Sequence, residues 1–402
     1  MTETKPFRAD LMNTVAFLQN AAKKGSLLLR LIRAAQPISR TEIASRLGID
    51  KSTVTENVKP LIAAGIIREE TIASESQGRR VRVLSFAEDG GYFIGVNLGV
   101  RRSQVGCTTL RGEITDEEDF ETPADAKMAL IQTRRRIREI VDRRKGEKLK
   151  YIGVSVPGMT DTQRQTLIFA PNLDWRNVDI AKDFSVRSGV KVVVENDSTA
   201  AAMYEARLKI RGSEDGLLTN FILVRSGTGI GVGLIIGSEV YRGSGLGRGI
   251  AGEFGHMTIV AGGKQCVCGN RGCWEKYASA ASAASLYIGD RPLRRGESMP
   301  RFVEIVARAA NGEVRSKKTL EMIGDYLGIG IANVIMGVGV PRVIISGRLV
   351  YAWDFIKEPL NAAIKRSIIG KIDGWSVEAG EPAGAAIGGA LEVAVEEYLA
   401  SV

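Results

Sequence analysis

The segment GEFGHMTIVAGGKQCVCGNRGCWE, residues 252–275, holds the chain's only histidine and three of its four cysteines. His256, Cys266, Cys268 and Cys273 follow one another with nine, one and four residues between them. Three thiolates and one imidazole are a preferred tetrahedral set for structural zinc (Zn2+), and Gly269 and Gly272 supply the turns that a compact knuckle needs. The alternatives for these thiols are burial as small apolar groups or a redox pair. Cys107, the fourth cysteine, has no partner in the sequence and reads as core.

Outward from this segment the chain has an α/β texture. Strand-like runs rich in Val, Ile and Gly (YFIGVNLGV, QVGCTTL, YIGVSVPG, KVVVEND, FILVRSGTGIGVGLII, RVIISG) begin at Gly91 and alternate with helical stretches such as 126–144 and 198–210. A strand enters a Gly-containing turn near Asn97–Val100 and again near Ser226–Ile230, the pattern of two lobes with related topology and a ligand cleft between them.

The first 65 residues carry apolar positions three and four apart, with no strand alternation before Ile66, and read as all-α. Ser39 and Glu42 have capping-box spacing, and Ile43, Ala44 and Leu47 form an apolar face that ends at Gly48. A second helix opens among Asp50–Thr53, buries Val54, Val58, Leu61 and Ile62, and stops at Gly65, with Pro60 expected to kink it. Short strands at Ile66–Glu69 and Arg80–Phe86 then flank a loop ending in Gly78, Arg79 and Arg80. Together these elements predict a winged helix-turn-helix. Lys51, Ser52, Thr53 and Thr55 are placed to meet base edges of double-stranded DNA, while Arg40, Arg79 and Arg80 supply charge for phosphates or the minor groove. A small helical oligomerisation domain is the competing reading.

Composition limits the remaining choices. The 402 residues are 44% hydrophobic and 25% charged, enough to fill two or three cores, and four cysteines are too few for a disulfide scaffold. The longest uncharged apolar run, Tyr326–Pro341, is shorter than a membrane span and broken by glycines, so the expectation is a cytoplasmic protein with no membrane insertion. The net charge of +9 is not concentrated in the helix-turn-helix: residues 127–150 hold 10 Lys/Arg against 3 Asp/Glu, whereas residues 1–90 hold 14 against 10. The basic stretch reads as the solvated face of an amphipathic helix with Leu130, Ile131, Ile137 and Val141 turned inward.

GIGVGLIIGSEVYRGSGLGRGIAGEFGHMTI (229–259) followed by CVCGNRGCWE (266–275) resembles the ROK family of sugar kinases and sugar-responsive repressors. The winged helix in front, ISRTEIASRLGIDKSTVTENVKPLIAAGII with QGRR, is similar to the repressor branch, which governs glucose, N-acetylglucosamine and xylose genes. The resemblance implies a DNA-binding domain at 1–88 and, at 89–402, a two-lobed sugar-kinase-like domain of the actin-like ATPase fold with its zinc knuckle near 256–273. It implies sugar contacts from Asn196, Asp197, Glu253, His256 and Glu275, with His256 also on zinc and its second ring nitrogen aimed at the sugar. Asp197 occupies the position of the kinase general base. The kinase phosphate loop, by contrast, is replaced by Asn97-Leu98-Gly99-Val100-Arg101, with an amide where an acid supports Mg²⁺ and bulky residues where small ones belong. The implied function is a repressor of sugar transport or catabolism genes, a homodimer or homotetramer whose hold on its operator a bound sugar modulates, with no catalytic residue. An ATP-dependent sugar kinase is the alternative.

Overall fold

The computed structural model describes residues 21–73, 80–87, 91–163, 165–186, 189–212, 219–243, 249–289, 298–382 and 385–401. The N-terminal part consists of α1 (Ala21–Ala35), β1 (Ile38–Ser39), α2 (Arg40–Leu47), α3 (Lys51–Ala63), β2 (Ile67–Ala73) and β3 (Arg80–Phe86). Ser39 caps α2 by accepting from the Glu42 N–H at 3.1 Å, and Gly48 ends it in the left-handed conformation, φ 61°. Ile43, Leu47, Val54 and Val58 are buried, while Ala44, Leu61 and Ile62 of the expected stripe are half-buried against the same core. The helix α3 runs through Pro60 to Ala63.

One element departs from the all-α expectation. Ile38 and Ser39 pair with Leu84 and Val83, making a three-stranded sheet in the order β1-β3-β2. A two-residue strand is too short to show an alternation in sequence.

The larger part holds two sheets of matching plan. In the first lobe β4 (Tyr92–Asn97), β5 (Arg102–Thr108), β6 (Ile114–Glu121), β7 (Leu149–Val156) and β11 (Lys191–Asn196) lie in the order β11-β7-β4-β5-β6, parallel from β11 to β4 and antiparallel beyond. Helix α4 (Ala126–Arg143) connects β6 to β7. Between β7 and β11 lie a small sheet of β8 (Met159–Asp161), β9 (Thr166–Ala170) and β10 (Trp175–Val178), and the short α5 (Ile180–Phe184).

Helix α6 (Asp197–Gly212) leads into the second lobe, where β12 (Phe221–Ser226), β13 (Ile230–Ile236), β14 (Glu239–Val240), β15 (Arg342–Gly347) and β16 (Ser376–Ala379) lie in the order β14-β13-β12-β15-β16. Again three strands are parallel and two antiparallel. Helices α7 (Glu275–Ala278), α8 (Ser282–Ile288), α9 (Phe302–Ala310), α10 (Val314–Val338) and α11 (Trp353–Arg366) complete that lobe, and α12 (Ala385–Ala400) closes the chain. By length and composition α10 is apolar enough to cross a membrane, yet half of its most apolar window is buried within the fold.

The basic stretch is neutralised locally. Along α4 the buried residues are Ala129, Leu130, Thr133, Ile137 and Ile140, while Ile131 is 41% exposed and Val141 half-buried, so the inward stripe lies slightly off the expected one. Its arginines reach the acidic β6: Arg136 lies 3.5 Å from Glu118, and Arg144 lies 2.8 Å from Asp116. Cys107 is buried as expected, and burial pushes its thiol up to about 12.

The two parts share a core across residue 88. Leu27, Leu31, Ile43 and Val58 pack in one cluster with Phe93, Ile210, Val395 and Leu399. Within this junction Glu392 of α12 is buried between two guanidinium groups. Arg33 of α1 donates to it from both Nη atoms, Nη2 at 2.9 Å, and Arg207 of α6 donates at 2.8 Å. Burial opposes ionisation of Glu392, but the charges and hydrogen bonds of Arg33 and Arg207 prevail and hold its pKa below the ordinary carboxylate range. Beside it Arg30 pairs with Glu396 at 2.5 Å.

Removing the charge of Glu392 leaves two guanidinium groups uncompensated, so Glu392→Gln is expected to cost about 3–5 kcal/mol in urea unfolding at neutral pH. A carboxylate whose pKa is lowered by folding stabilises above its unfolded pKa, and that stability drains as pH falls towards the folded value. The parent protein should therefore lose stability on acidification more steeply than the variant. Parallel acid profiles would show that Glu392 contributes no such ionisation energy.

Candidate functional site

A cleft of about 400 Å³ runs between the two sheets, walled by the turn after β4, the β11–α6 junction, the turn between β12 and β13, and the 253–275 segment. It brings together all five residues expected to hold a sugar: Asn196, Asp197, Glu253, His256 and Glu275. The β11–α6 junction explains the first two. Asn196 Oδ1 accepts from the N–H groups of Ser198 and Thr199 at 2.8 and 3.2 Å, capping α6, while its Nδ2 donates to the Gly158 carbonyl at 2.9 Å. Among the described residues, one Nδ2 proton of Asn196 is left for a ligand. Asp197, in the first turn of α6, accepts from Ser198 Oγ at 3.2 Å.

The acids of the other wall crowd together. Burial pushes the Glu253 carboxyl up to about 7, reinforced by the negative charges of Asp197 and Glu275. Glu275 is buried against the turn between β12 and β13, so close that a Cβ at Gly229 would stand 2.3 Å from Glu275 Oε2. A side chain at that position would have to displace the Glu275 carboxylate. Trp274 is fully buried, donates from Nε1 to the Tyr326 carbonyl at 2.9 Å, and lies against Gly330 of α10, fixing the segment to the second lobe.

His256, Cys266, Cys268 and Cys273 converge, all four donor atoms lying within 4.8 Å of one another. Cys268 Sγ and Cys273 Sγ are 3.7 Å apart, and Cys266 Sγ is 3.6 Å from His256 Nδ1. A tetrahedral ion with bonds of about 2.3 Å to sulfur and about 2.0–2.1 Å to nitrogen spaces its ligands by about 3.8 and 3.6 Å, so the residues present fit a metal ion. His256 Nδ1 faces the sulfurs and Nε2 faces Glu253 Oε2 at 3.7 Å. The bridges Thr258–Cys273 and Gln265–Arg271 close the knuckle.

The turn after β4 is engaged within the fold. Asn97 is buried, accepts from Ser155 Oγ at 3.0 Å and donates to Gln104 at 3.3 Å. Six residues separate Asn97 from its partner Gln104, against three between Ser226 and Ile230, so the two turns differ although the sheets match.

Arg225 was not anticipated as a site residue. Its Nη1 donates to Asp197 Oδ2 at 2.5 Å, from β12 to the start of α6. The available signal was a lone charge in the otherwise apolar run FILVRSG.

On the winged helix, Lys51 and Ser52 are exposed and Thr53 and Thr55 half-buried at the start of α3, and Arg80 is exposed. Arg40 is held within the fold, 3.1 Å from Glu69 and 3.5 Å from Thr55 Oγ1. Arg79 lies outside the described residues.

Residues 93–396 match the ROK family and residues 26–68 match the winged helix-turn-helix DNA-binding family. The chain belongs to the ROK family, and with the winged helix-turn-helix in front it is a DNA-binding transcriptional regulator. It is 30% identical to the xylose repressor of Bacillus subtilis over 352 residues, 86% of this chain and 87% of that protein. It is 31% identical to the glucokinase of Streptomyces coelicolor over 294 residues, which span 70% of this chain and 89% of that enzyme. Among solved structures, a ROK-family transcriptional regulator homologous to the Escherichia coli MLC protein aligns with a TM-score of 0.74 at 24% identity, covering 94% of this chain and 96% of that one. A ROK-family glucokinase from Streptomyces griseus, in complex with glucose and AMPPNP, aligns at 0.64 and 27% identity over 76% of this chain and 99% of its own.

The Trp274 indole anchors this segment to α10 both by its N–H and by packing on Gly330. Trp274→Phe removes the donor to the Tyr326 carbonyl and part of a buried ring, and is expected to cost about 1–3 kcal/mol in denaturant unfolding for the hydrogen bond with a further loss for the cavity. No loss would mean that the indole does not seat the segment.

Proposed function

We propose that this regulator is a cytoplasmic repressor of sugar transport or catabolism genes, binding its operator through residues 1–88 and a sugar in the cleft of residues 89–402. The observation that carries this reading is the convergence of Asn196, Asp197, Glu253, His256 and Glu275 on one interlobe cleft in a chain that begins with a winged helix. Carboxylates, an amide and an imidazole accept and donate the hydroxyl protons of a pyranose, and a missing partner would leave buried polar groups unpaired. Lys51, Ser52, Thr53 and Thr55 face the base edges, and Arg79 and Arg80 the phosphates. Arg40, which pairs with Glu69 and lies 3.5 Å from Thr55 Oγ1, adds its charge to the same DNA-binding face.

Zinc is the metal that best suits three thiolates and an imidazole at these spacings. It would be held by His256, Cys266, Cys268 and Cys273, and it supplies a fixed tautomer to His256, whose Nε2–H then points towards Glu253 and the cleft.

The site is read as binding sugar without phosphorylating it. Asp197 is ion-paired to Arg225, and the turn after β4 offers Asn97, a neutral amide already engaged by Ser155 and Gln104. The kinase reading keeps two supporting features, Asp197 at the position of the general base and the glycine turn at Gly227–Gly229.

The repressor acts as a homodimer or homotetramer, so that closure of the lobes alters the spacing of two winged helices on a palindromic site.

Sequencing the genomic fragments captured by the purified protein tests the reading. Palindromic sites beside sugar genes, released by a sugar, are expected; absence of enrichment, together with ADP release in a coupled assay with hexoses and ATP, would overturn it in favour of the kinase. Arg79→Ala with Arg80→Ala should weaken operator and random DNA alike and lower the salt slope by about two. A change in preferred sequence instead would assign base or groove reading to the wing. Cys268→Ser should reduce bound zinc, measured by elemental analysis, and weaken sugar binding; zinc loss at unchanged affinity would separate the metal from the sugar site.

A further inference from the structure

We infer that the cleft is built for an acidic sugar, a uronic or aldonic acid whose carboxylate is taken by Arg225. The inference rests on the sugar-binding reading above and narrows it to a ligand class. Arg225 lines the cleft with 24% of its side chain exposed, and its single hydrogen bond among the described residues is the 2.5 Å contact from Nη1 to Asp197 Oδ2. A guanidinium carries five N–H donors in a planar fork, so most of its donors remain for a ligand.

A neutral sugar closing over this wall takes water from those donors and returns weak hydroxyl acceptors. A carboxylate returns two charge-assisted bonds in the geometry the fork prefers. If Arg225 only neutralised Asp197, it would affect acidic and neutral sugars alike.

Two further cations support an anionic ligand. Arg101, after β4, and Arg348, after β15, line the same cleft, are exposed, and form no ion pair among the described residues. Arg102 in the same wall is already bound to Asp119. The acids Asp119, Asp197, Glu253 and Glu275 line the same cleft, Asp119 already paired with Arg102 and Asp197 with Arg225. That arrangement fits a polyol body among the acids with one anionic end at Arg225. It favours a monoanionic carboxylate over a phosphate, because a second negative charge beside three carboxylates adds repulsion that one guanidinium does not cancel.

Isothermal titration of the full chain with glucuronate, galacturonate and gluconate, against glucose, galactose, xylose and glucose 6-phosphate, tests the inference. At least one acid should bind ten-fold or more tightly than its neutral parent. Arg225→Gln should erase that preference, and Arg225→Lys, which keeps the charge but not the fork, should retain part of it. Equal or tighter binding of a neutral parent overturns the inference while leaving the sugar-responsive repressor standing. Tighter binding of the phosphate overturns the commitment to a carboxylate, and binding of none of the probes removes the inference and the sugar-binding reading together. The comparison of acid with parent on the unaltered chain decides the matter even if the Arg225 variants fail to fold.

Discussion

Glu392 is a carboxylate taken wholly out of water, and the organisation of this protein depends on how it is paid for. Arg33 comes from the helix that opens the DNA-binding part, Arg207 from the helix that leads from one lobe to the other, and Glu392 from the helix that ends the chain. An ion buried this deeply is tolerated only with its partners in place, so the three helices hold one mutual arrangement or forfeit several kcal/mol, about 3–5 by analogy with other buried pairs. The shared core of Leu27, Ile43, Phe93 and Leu399 adds apolar area across the same seam. The winged helix is consequently docked on the sugar-kinase-like domain, not tethered beside it.

This docking gives a physical route from cleft to DNA. The helix that carries Arg207 begins at Asp197, on the cleft wall, and runs unbroken to the ion cluster. A ligand that pulls on Asp197, or competes with it for Arg225, acts on the start of that helix. Coupling of this kind operates only through a difference in ligand affinity between two arrangements of the domains, and moving a population from 1:99 to 99:1 takes about 5.5 kcal/mol of such difference. Two sites in an oligomer can share that requirement.

The cleft lies between two lobes of one plan, and side chains of both meet in it. The sheets of the two lobes match strand for strand, and Gly229 leaves space for Glu275. Within the cleft Asn97 is tied to Ser155 and Gln104, and Asp197 faces a guanidinium.

Local chemistry made much of this legible from the residues alone. The knuckle was readable because four metal ligands at fixed spacing need no distant partner, and α2, α3 and the lobes were readable because helical and strand periodicities are short-range. The five cleft residues were named through family resemblance, since nothing in spacing alone joins Asn196 to Glu275. Where the sequence was silent, the interaction was long-range or too short to leave a pattern. The pair Arg225–Asp197 spans 28 positions and Arg33–Glu392 spans 359, while β1 has only two residues. Charged residues carry no mark of their partner in the chain. Burial, decided by how helices and sheets stack, determines which of them must pair, and only the tertiary structure decides that.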